Sequence, residues 1–287
     1  LLHVTNGDCA EAVLSRAVAG TLLSWDDVLH EGPVFAGLPL PALSRRRAQF
    51  IASCGWGSPE KIEAKFVERD EALARAPEHE EVVLWFEHDL YDQLQLIQLL
   101  DWFGAHPHQR LTLVCEAEYL GNMTPARAAE LFEFRKPVTS AQIREAMAAW
   151  SAFGGGDPLR IRSDAVPGLP FLGAALGRLL EEFPWTADGL SRLERQVLEA
   201  LAGGPLPFGE LFARAHHHRE DPVFLGDAVL VWHLERMAYE GLLKKVDDRW
   251  VATGHSRRLR QPRWIGGTEI RDESVRWDPA LARLARR

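Results

Sequence analysis

Cysteine is scarce in this chain: Cys9, Cys54 and Cys115 are the only three among 287 residues, widely spaced and odd in number. That argues against a disulfide framework and a Cys-x-x-Cys metal site, and it fits a reducing compartment. Positive charge is short as well. Lysine and arginine number 33 against 41 aspartates and glutamates, a formal net charge of −8. A general binder of nucleic acid or anionic membrane is disfavoured, because phosphate neutralisation needs a cationic surplus; a locally basic face stays open. No apolar run approaches the ~20 residues that span a bilayer. The first residues carry neither a basic n-region nor a cleavage site. A soluble, cytoplasmic protein with no membrane partner is expected. Three signatures are also missing: Gly-x-Gly-x-x-Gly after the first strand-like run, a Walker-type Gly-Lys-Ser/Thr, and a Gly-x-Ser-x-Gly elbow. Neither dinucleotide nor P-loop nucleotide binding is supported, nor is the nucleophile elbow of the hydrolases.

What is present is a globular composition, 46% hydrophobic and 26% charged, at a length that suits two domains. Residues 82–86 are an unbroken apolar run rich in β-branched and aromatic side chains, the pattern of a strand buried on both faces. From Leu90 the period changes: Leu90, Leu94, Ile97 and Leu100 recur at helical spacing, with Asp92, Gln93, Gln95 and Gln98 between them. Residues 1–5, 21–25 and 111–115 read as further strands. A helix between the first two makes a βαβ unit and a parallel sheet. That helix starts at Asp8, where Asp8 and Glu11 resemble a capping box. Gly32-Pro33 marks a loop. Residues 41–75, 124–135 and 140–153 read as helical.

Gly/Pro-rich stretches at 154–158 and 167–170 bracket a boundary between domains. Beyond it come helical patterns at 171–183, 191–202, 208–215 and 224–239, a hairpin turning at Asp247-Asp248, and a basic segment ending in a helix-like 279–287. The expected fold class is α/β: a Rossmann-like parallel-sheet domain over 1–153, a linker over 154–170, and a mostly α, winged-helix-like domain over 171–287 with a basic tail.

In a parallel sheet the carboxyl ends of the strands share one edge, and ligands bind there. The turns after the four strands gather Asn6 and Asp8, then Asp27, His30 and Glu31, then Glu87, His88 and Asp89, and finally Glu116. Carboxylates beside imidazoles suit acid/base work near neutral pH, and the same residues suit metal binding. Each also has a plainer role. Asp8 and Asp89 fit helix N-caps, His30 and His88 fit structural histidines, and Asp27 beside Asp26 fits a solvated turn. Glu87 is harder to dismiss, since it ends a buried run and needs a partner. Arg46 or Arg69 could supply one, although Arg45, Arg46 and Arg47 equally fit a solvated helix face. Cys9, at a helix start, fits either an activated thiol or a small buried residue. His216-His217-His218 reads as a solvated loop. In the winged-helix-like half, residues 224–239 carry Asp227, Glu235 and Arg236, not a basic recognition face. Arg257, Arg258, Arg260 and Arg263 are what keep DNA open.

Three blocks, His3-Val4-Thr5-Asn6-Gly7-Asp8, Trp25-Asp26-Asp27-Val28-Leu29-His30-Glu31-Gly32-Pro33 and the stretch Leu84-Trp85-Phe86-Glu87-His88-Asp89-Leu90-Tyr91-Asp92-Gln93-Leu94-Gln95, resemble a bacterial family known as domain of unknown function 1835. The C-terminal half resembles the extension of its longer members. The resemblance implies a bacterial cytosolic protein and brings no established activity; Cys9 stands where serine is more typical of the family. The expected function is an enzyme, a hydrolase or group transferase, that binds a small polar ligand at the sheet edge, with a divalent metal as an open option. His30 or His88 would be the acid/base, with Glu87 orienting it or holding the metal. Asn6, Asp8, Asp27, Glu31, Asp89, Gln93 and Arg46 would bind ligand. The alternative is a ligand-sensing regulator whose C-terminal domain contacts DNA or a protein partner.

Overall fold

The structure is a computed structural model that describes residues 1–255, 262–271 and 274–286. Its N-terminal half alternates strands and helices: β1 (Leu2–Thr5), α1 (Asp8–Leu14), β2 (Thr21–Ser24), the short β3 (Gly32–Pro33), α2 (Leu40–Ser53), α3 (Pro59–Ala74), β4 (Val82–Glu87), α4 (Leu90–Ala105), β5 (Leu111–Glu116), α5 (Pro125–Glu133), β6 (Lys136–Pro137) and α6 (Ser140–Phe153). Five strands form one sheet in the order β2-β1-β4-β5-β6; the first four are parallel and β6 is antiparallel. The fold class is therefore α/β, and the parallel arrangement follows from helices inserted between consecutive strands.

Strand β4 is buried along its whole length, as its apolar run requires. One face of the sheet packs on α1 and α5 through Leu14, Trp85, Val114 and Leu131. The other packs on α4, which α6 and α7 cover in turn. Helix α4 is consequently interior, and its polar residues are buried with specific partners. Gln98 accepts the Trp25 indole N–H at 2.9 Å, and Gln95 donates to the Asp27 carbonyl at 3.2 Å. These bonds hold the loop after β2 against α4.

The second half continues with α7 (Leu172–Leu180), α8 (Arg192–Ala200), β7 (Leu206–Pro207), α9 (Phe208–Phe212), α10 (Asp227–Tyr239), β8 (Leu243–Val246) and β9 (Arg249–Ala252). Strands β7, β9 and β8 make a small antiparallel sheet around a separate core of Val197, Leu211, Leu230, Leu234 and Trp250. The chain then forms two hairpins, β10 (Arg263–Gly266) with β11 (Thr268–Ile270), and β12 (Val275–Asp278) with β13 (Arg283–Arg286). Among the described residues no helix is long and apolar enough to cross a membrane.

Four sequence expectations need correction. The helix-like 279–287 is instead, over the described 279–286, the turn and second strand of the β12–β13 hairpin, because Trp277 and Leu284 face each other and both reach the core. Gly32-Pro33 is no open loop; it pairs in parallel with β10. Asp8 does not cap α1: the cap position is Gly7, and no side chain bonds there. The glycines of the expected linker are a crossing point where Val34 N–H donates to Gly266 O, Gly267 N–H to Phe153 O and Ala36 N–H to Gly154 O. One apolar cluster runs across that stretch, joining Leu84 and Leu94 to Leu172, Phe183, Ile265 and Trp277.

Gly266 sits at φ +56, and a Cβ there would lie 2.4 Å from the Phe153 carbonyl oxygen. Gly266→Ala is therefore expected to cost roughly 1–3 kcal/mol, read as a lower urea midpoint. An unchanged midpoint would show that the three backbones can separate.

Candidate functional site

Strand order decides where the site lies. From β1 the chain moves outward to β2 on one side, and β4 and β5 follow on the other, so the order reverses between β1 and β4. At such a switch point the loops leave the sheet in opposite directions and open a crevice beyond the carboxyl ends. Asn6 follows β1 there, and Glu87 ends β4 there. Asn6 Nδ2 bridges the crevice by donating to Asp92 Oδ2 at 2.7 Å.

Three buried carboxyl groups meet at this point. Glu87, Asp89 and Asp92 each present an oxygen, all within 4.8 Å of one another. Local structure sets each one. Asp89 is the N-cap of α4, where its Oδ1 accepts the Asp92 N–H at 3.0 Å. Asp92 turns back toward the strand, and its Oδ1 accepts the Glu87 N–H at 2.7 Å. Glu87 Oε1 accepts the Leu120 N–H at 2.6 Å from the turn after β5. Gln93 lies beneath, donating to the Glu87 carbonyl at 2.6 Å and to Cys115 Sγ at 3.5 Å.

Burial in this setting disfavours every ionised form. Burial and the neighbouring Asp89 charge push the Glu87 carboxyl up to about 7, against the Leu120 and Gly121 N–H groups and the Asn6 amide, which favour its anion. Burial raises Asp89 to about 6, opposed by N–H groups of Asp92 and Tyr91. Asp92 is raised well above the carboxylate range by burial and by both acidic neighbours. The cluster thus exchanges protons around neutral pH, and its oxygens are also the hard donors a divalent cation prefers.

No family model matches the chain, and no curated protein matches it. The chemistry must be read from the residues.

The other expected site residues go elsewhere. Asp27 is buried in a bidentate pair with Arg47, whose Nη2 reaches Asp27 Oδ1 at 2.8 Å and whose Nε contacts both carboxylate oxygens. Glu31 pairs with His233 of α10 at 2.6 Å and lies 3.9 Å from Arg263. Burial alone would raise Glu31, but His233 and Arg263 outweigh it and hold the carboxyl down to about 2. His30 is enclosed between the rings of Tyr91 and Phe224, and burial drives its imidazole down to about 4. Asp8 and Arg46 are exposed. Neither Arg46 nor Arg69 reaches Glu87: Arg69 stacks on Trp25 and binds Asp70 and Ser44. The neighbours of Glu87 are carboxyl groups. His88 turns away from the cluster, its ring 5.3 Å from that of Tyr119 and 5.9 Å from that of Phe171.

Three further expectations change. His216 is buried and accepts the Leu225 N–H at 3.0 Å, while His217 and His218 are exposed. Cys9 is exposed rather than buried. Arg263 is buried on Glu182 and does not belong to a basic face; Arg257, Arg258 and Arg260 lie outside the described residues. Sequence reasoning missed Asp92 as a site residue. Its signal was position: three residues after the N-cap, its side chain lies over the cap and can point back to the strand end.

Proposed function

We propose that the protein is a hydrolase or group transferase for a small polar molecule, with Glu87 as the group that gives and takes the proton. One observation carries this: at the switch point of the sheet, Glu87 ends a wholly buried strand with only Asp89 and Asp92 as its ionisable partners in the cluster. A pair of carboxyl groups with different environments supplies acid and base near neutral pH. Asp92 stays protonated, Asp89 carries the charge, and Asn6 with the N–H groups of Leu120 and Gly121 orients Glu87. His30 is not the acid/base in this reading, because its ring is enclosed and stays neutral. A divalent cation fits the same oxygens. Bound there, it would polarise a substrate oxygen or acidify a water.

The test is a hydrolysis screen over esters, amides and phosphomonoesters, with and without magnesium or manganese. On any substrate found, kcat/KM should show an ionisation near 7 that Glu87→Gln removes, with a loss of about 10²- to 10⁴-fold. Full activity in Glu87→Gln would dismiss the proposal.

The parallel order β2-β1-β4-β5 supports a Rossmann-like N-terminal domain, and the order α8, β7, α9, α10 and the β8–β9 hairpin supports a winged helix after it. In such a module α10 would read DNA. Here its residues are engaged inside the chain, His233 with Glu31 and Trp232 with Phe50 and Trp56. A module that docks on its own N-terminal half fits better than a DNA reader. The kinship to the family of domain of unknown function 1835 belongs to the same proposal, and it rests on the blocks around Asn6, Asp27 and Glu87. A reducing, cytoplasmic setting agrees with the scarcity of cysteine.

A further inference from the structure

At the far end of α4 from the carboxyl cluster, about 20 Å along the helix, a cavity of about 570 Å³ opens between α2, α3 and the last turn of α4. That volume lies within the range of small-molecule sites. Its walls are mostly apolar, with Leu40 from α2, Phe66 and Val67 from α3 and Trp102 from α4.

One charged group is built into these walls. Asp70 is buried, and its Oδ1 accepts both Arg69 Nε at 3.1 Å and Arg69 Nη2 at 2.9 Å. Arg69 stays behind the wall, where Nη2 also donates to Ser44 Oγ at 2.9 Å and the guanidinium lies over the rings of Trp25 and Phe66. The ion pair thus uses one carboxylate oxygen. Asp70 borders the cavity, and its Oδ2 takes no hydrogen bond among the described residues; unlike the enclosed Arg69 Nη1, that oxygen keeps accessible surface. Charge points the same way. Glu63, Asp70 and Glu71 border the space, against Arg45 at its mouth and Arg69 behind it, which leaves one carboxylate unmatched. Glu63 and Glu71 are exposed and make no ion pair among the described residues. An open carboxylate oxygen in apolar surroundings attracts a charged donor more strongly than one in water does.

We infer that this cavity binds a hydrophobic amine, whose ammonium meets Asp70 Oδ2 and whose apolar body lies against Leu40, Phe66, Val67 and Trp102. An anion is a poorer occupant, because three carboxylates border the same space. A neutral molecule of the same shape leaves the extra negative charge unmatched. The inference does not depend on proton transfer at Glu87.

Calorimetric titration at pH 8 with tryptamine, tryptophol and indole-3-propionate separates these cases, since the three share one apolar body and end in an ammonium, a hydroxyl and a carboxylate. Tryptamine should bind saturably, and each of the others on the order of tenfold more weakly or worse. Asp70→Asn keeps an oxygen for Arg69 and should bring tryptamine down to the level of tryptophol. Ala74→Trp, at an exposed wall position outside the Arg69–Asp70 pair, should weaken tryptamine binding by a similar factor by filling the cavity. Glu87→Gln should leave tryptamine binding unchanged, so failure here and failure of the acid–base proposal are separable. Equal binding of tryptophol would make this a plain apolar pocket, and tighter binding of indole-3-propionate an anion site at Arg45. Either result, no saturable heat with tryptamine, an undiminished preference for tryptamine in Asp70→Asn, or unchanged binding in Ala74→Trp overturns the inference.

Discussion

Replacing Asp27 by alanine is expected to remove roughly 3–5 kcal/mol of folding free energy, although Asp27 lies outside the proposed catalytic cluster. The reason is Arg47. Its side chain is fully buried, and apart from Asp27 it donates to the carbonyls of Val28, Glu31 and Pro33 at 2.8, 2.7 and 3.3 Å. Without Asp27 a guanidinium would stay in the interior with only neutral acceptors. Carbonyl dipoles do not replace a carboxylate there. The damage would spread, because the loop that Arg47 gathers carries Glu31 to His233 and Gly32 to β10. It thus fixes two of the contacts by which the C-terminal half is held. Urea unfolding and calorimetry should register a fall in Tm on the order of 10 °C. The double variant Asp27→Leu/Arg47→Met should lose much less than the sum of its singles, since it leaves no orphaned charge. An Asp27→Ala protein within about 1 kcal/mol of wild type would mean that water reaches Arg47.

The contrast between Arg46 and Arg47 shows where sequence reading stops. Three consecutive arginines on a helix are equivalent until the phase of the helix against its neighbours is known. Arg47 faces inward and Arg45 and Arg46 outward because Leu43, Ala48 and Ile51 set the buried face. The parallel strands were legible, since each is a short apolar run followed by a helical period. The edge rule then brought Asn6, Glu87 and Asp89 to one place without any knowledge of contacts. The same rule misplaced His30 and Glu31. A turn can fold away from the crevice, and their partners Phe224 and His233 are some two hundred residues distant in the chain. No local pattern announces such a pairing. Nor did composition distinguish Arg263, buried on Glu182, from the arginines before it. The glycines at 154–156 were legible as a break, but a tight backbone crossing and a flexible linker share that signature.

The carboxyl cluster's share of the folding stability should fall as pH rises from about 4 to about 7, while the imidazoles of His30 and His216, which burial drives down, contribute in the opposite sense over the same range. An acid whose pKa is higher in the fold than in the unfolded chain holds its proton more tightly when folded. Its stabilising contribution is complete below the unfolded value and is lost as pH climbs through the folded one. For Asp89 that window runs from 3.8 to about 6, and for Glu87 from 4.5 to about 7; the raised Asp92 shifts in the same direction. Glu87→Gln removes one titration and keeps an oxygen for the Leu120 N–H. At pH 8 it should therefore be more stable than wild type, by on the order of 2 kcal/mol, with the gap closing toward pH 4. Urea melts across that range measure both slopes. Millimolar magnesium or manganese should recover part of the loss at pH 8 in wild type and little in Glu87→Gln, since a cation that binds only the folded, ionised cluster stabilises it by mass action. A Glu87→Gln protein with the wild-type slope would remove Glu87 from the titrating cluster. A gain in stability on deleting a carboxylate is what a functional group held against its preference produces, because burial that keeps Glu87 ready to move protons near neutrality also strains the fold there.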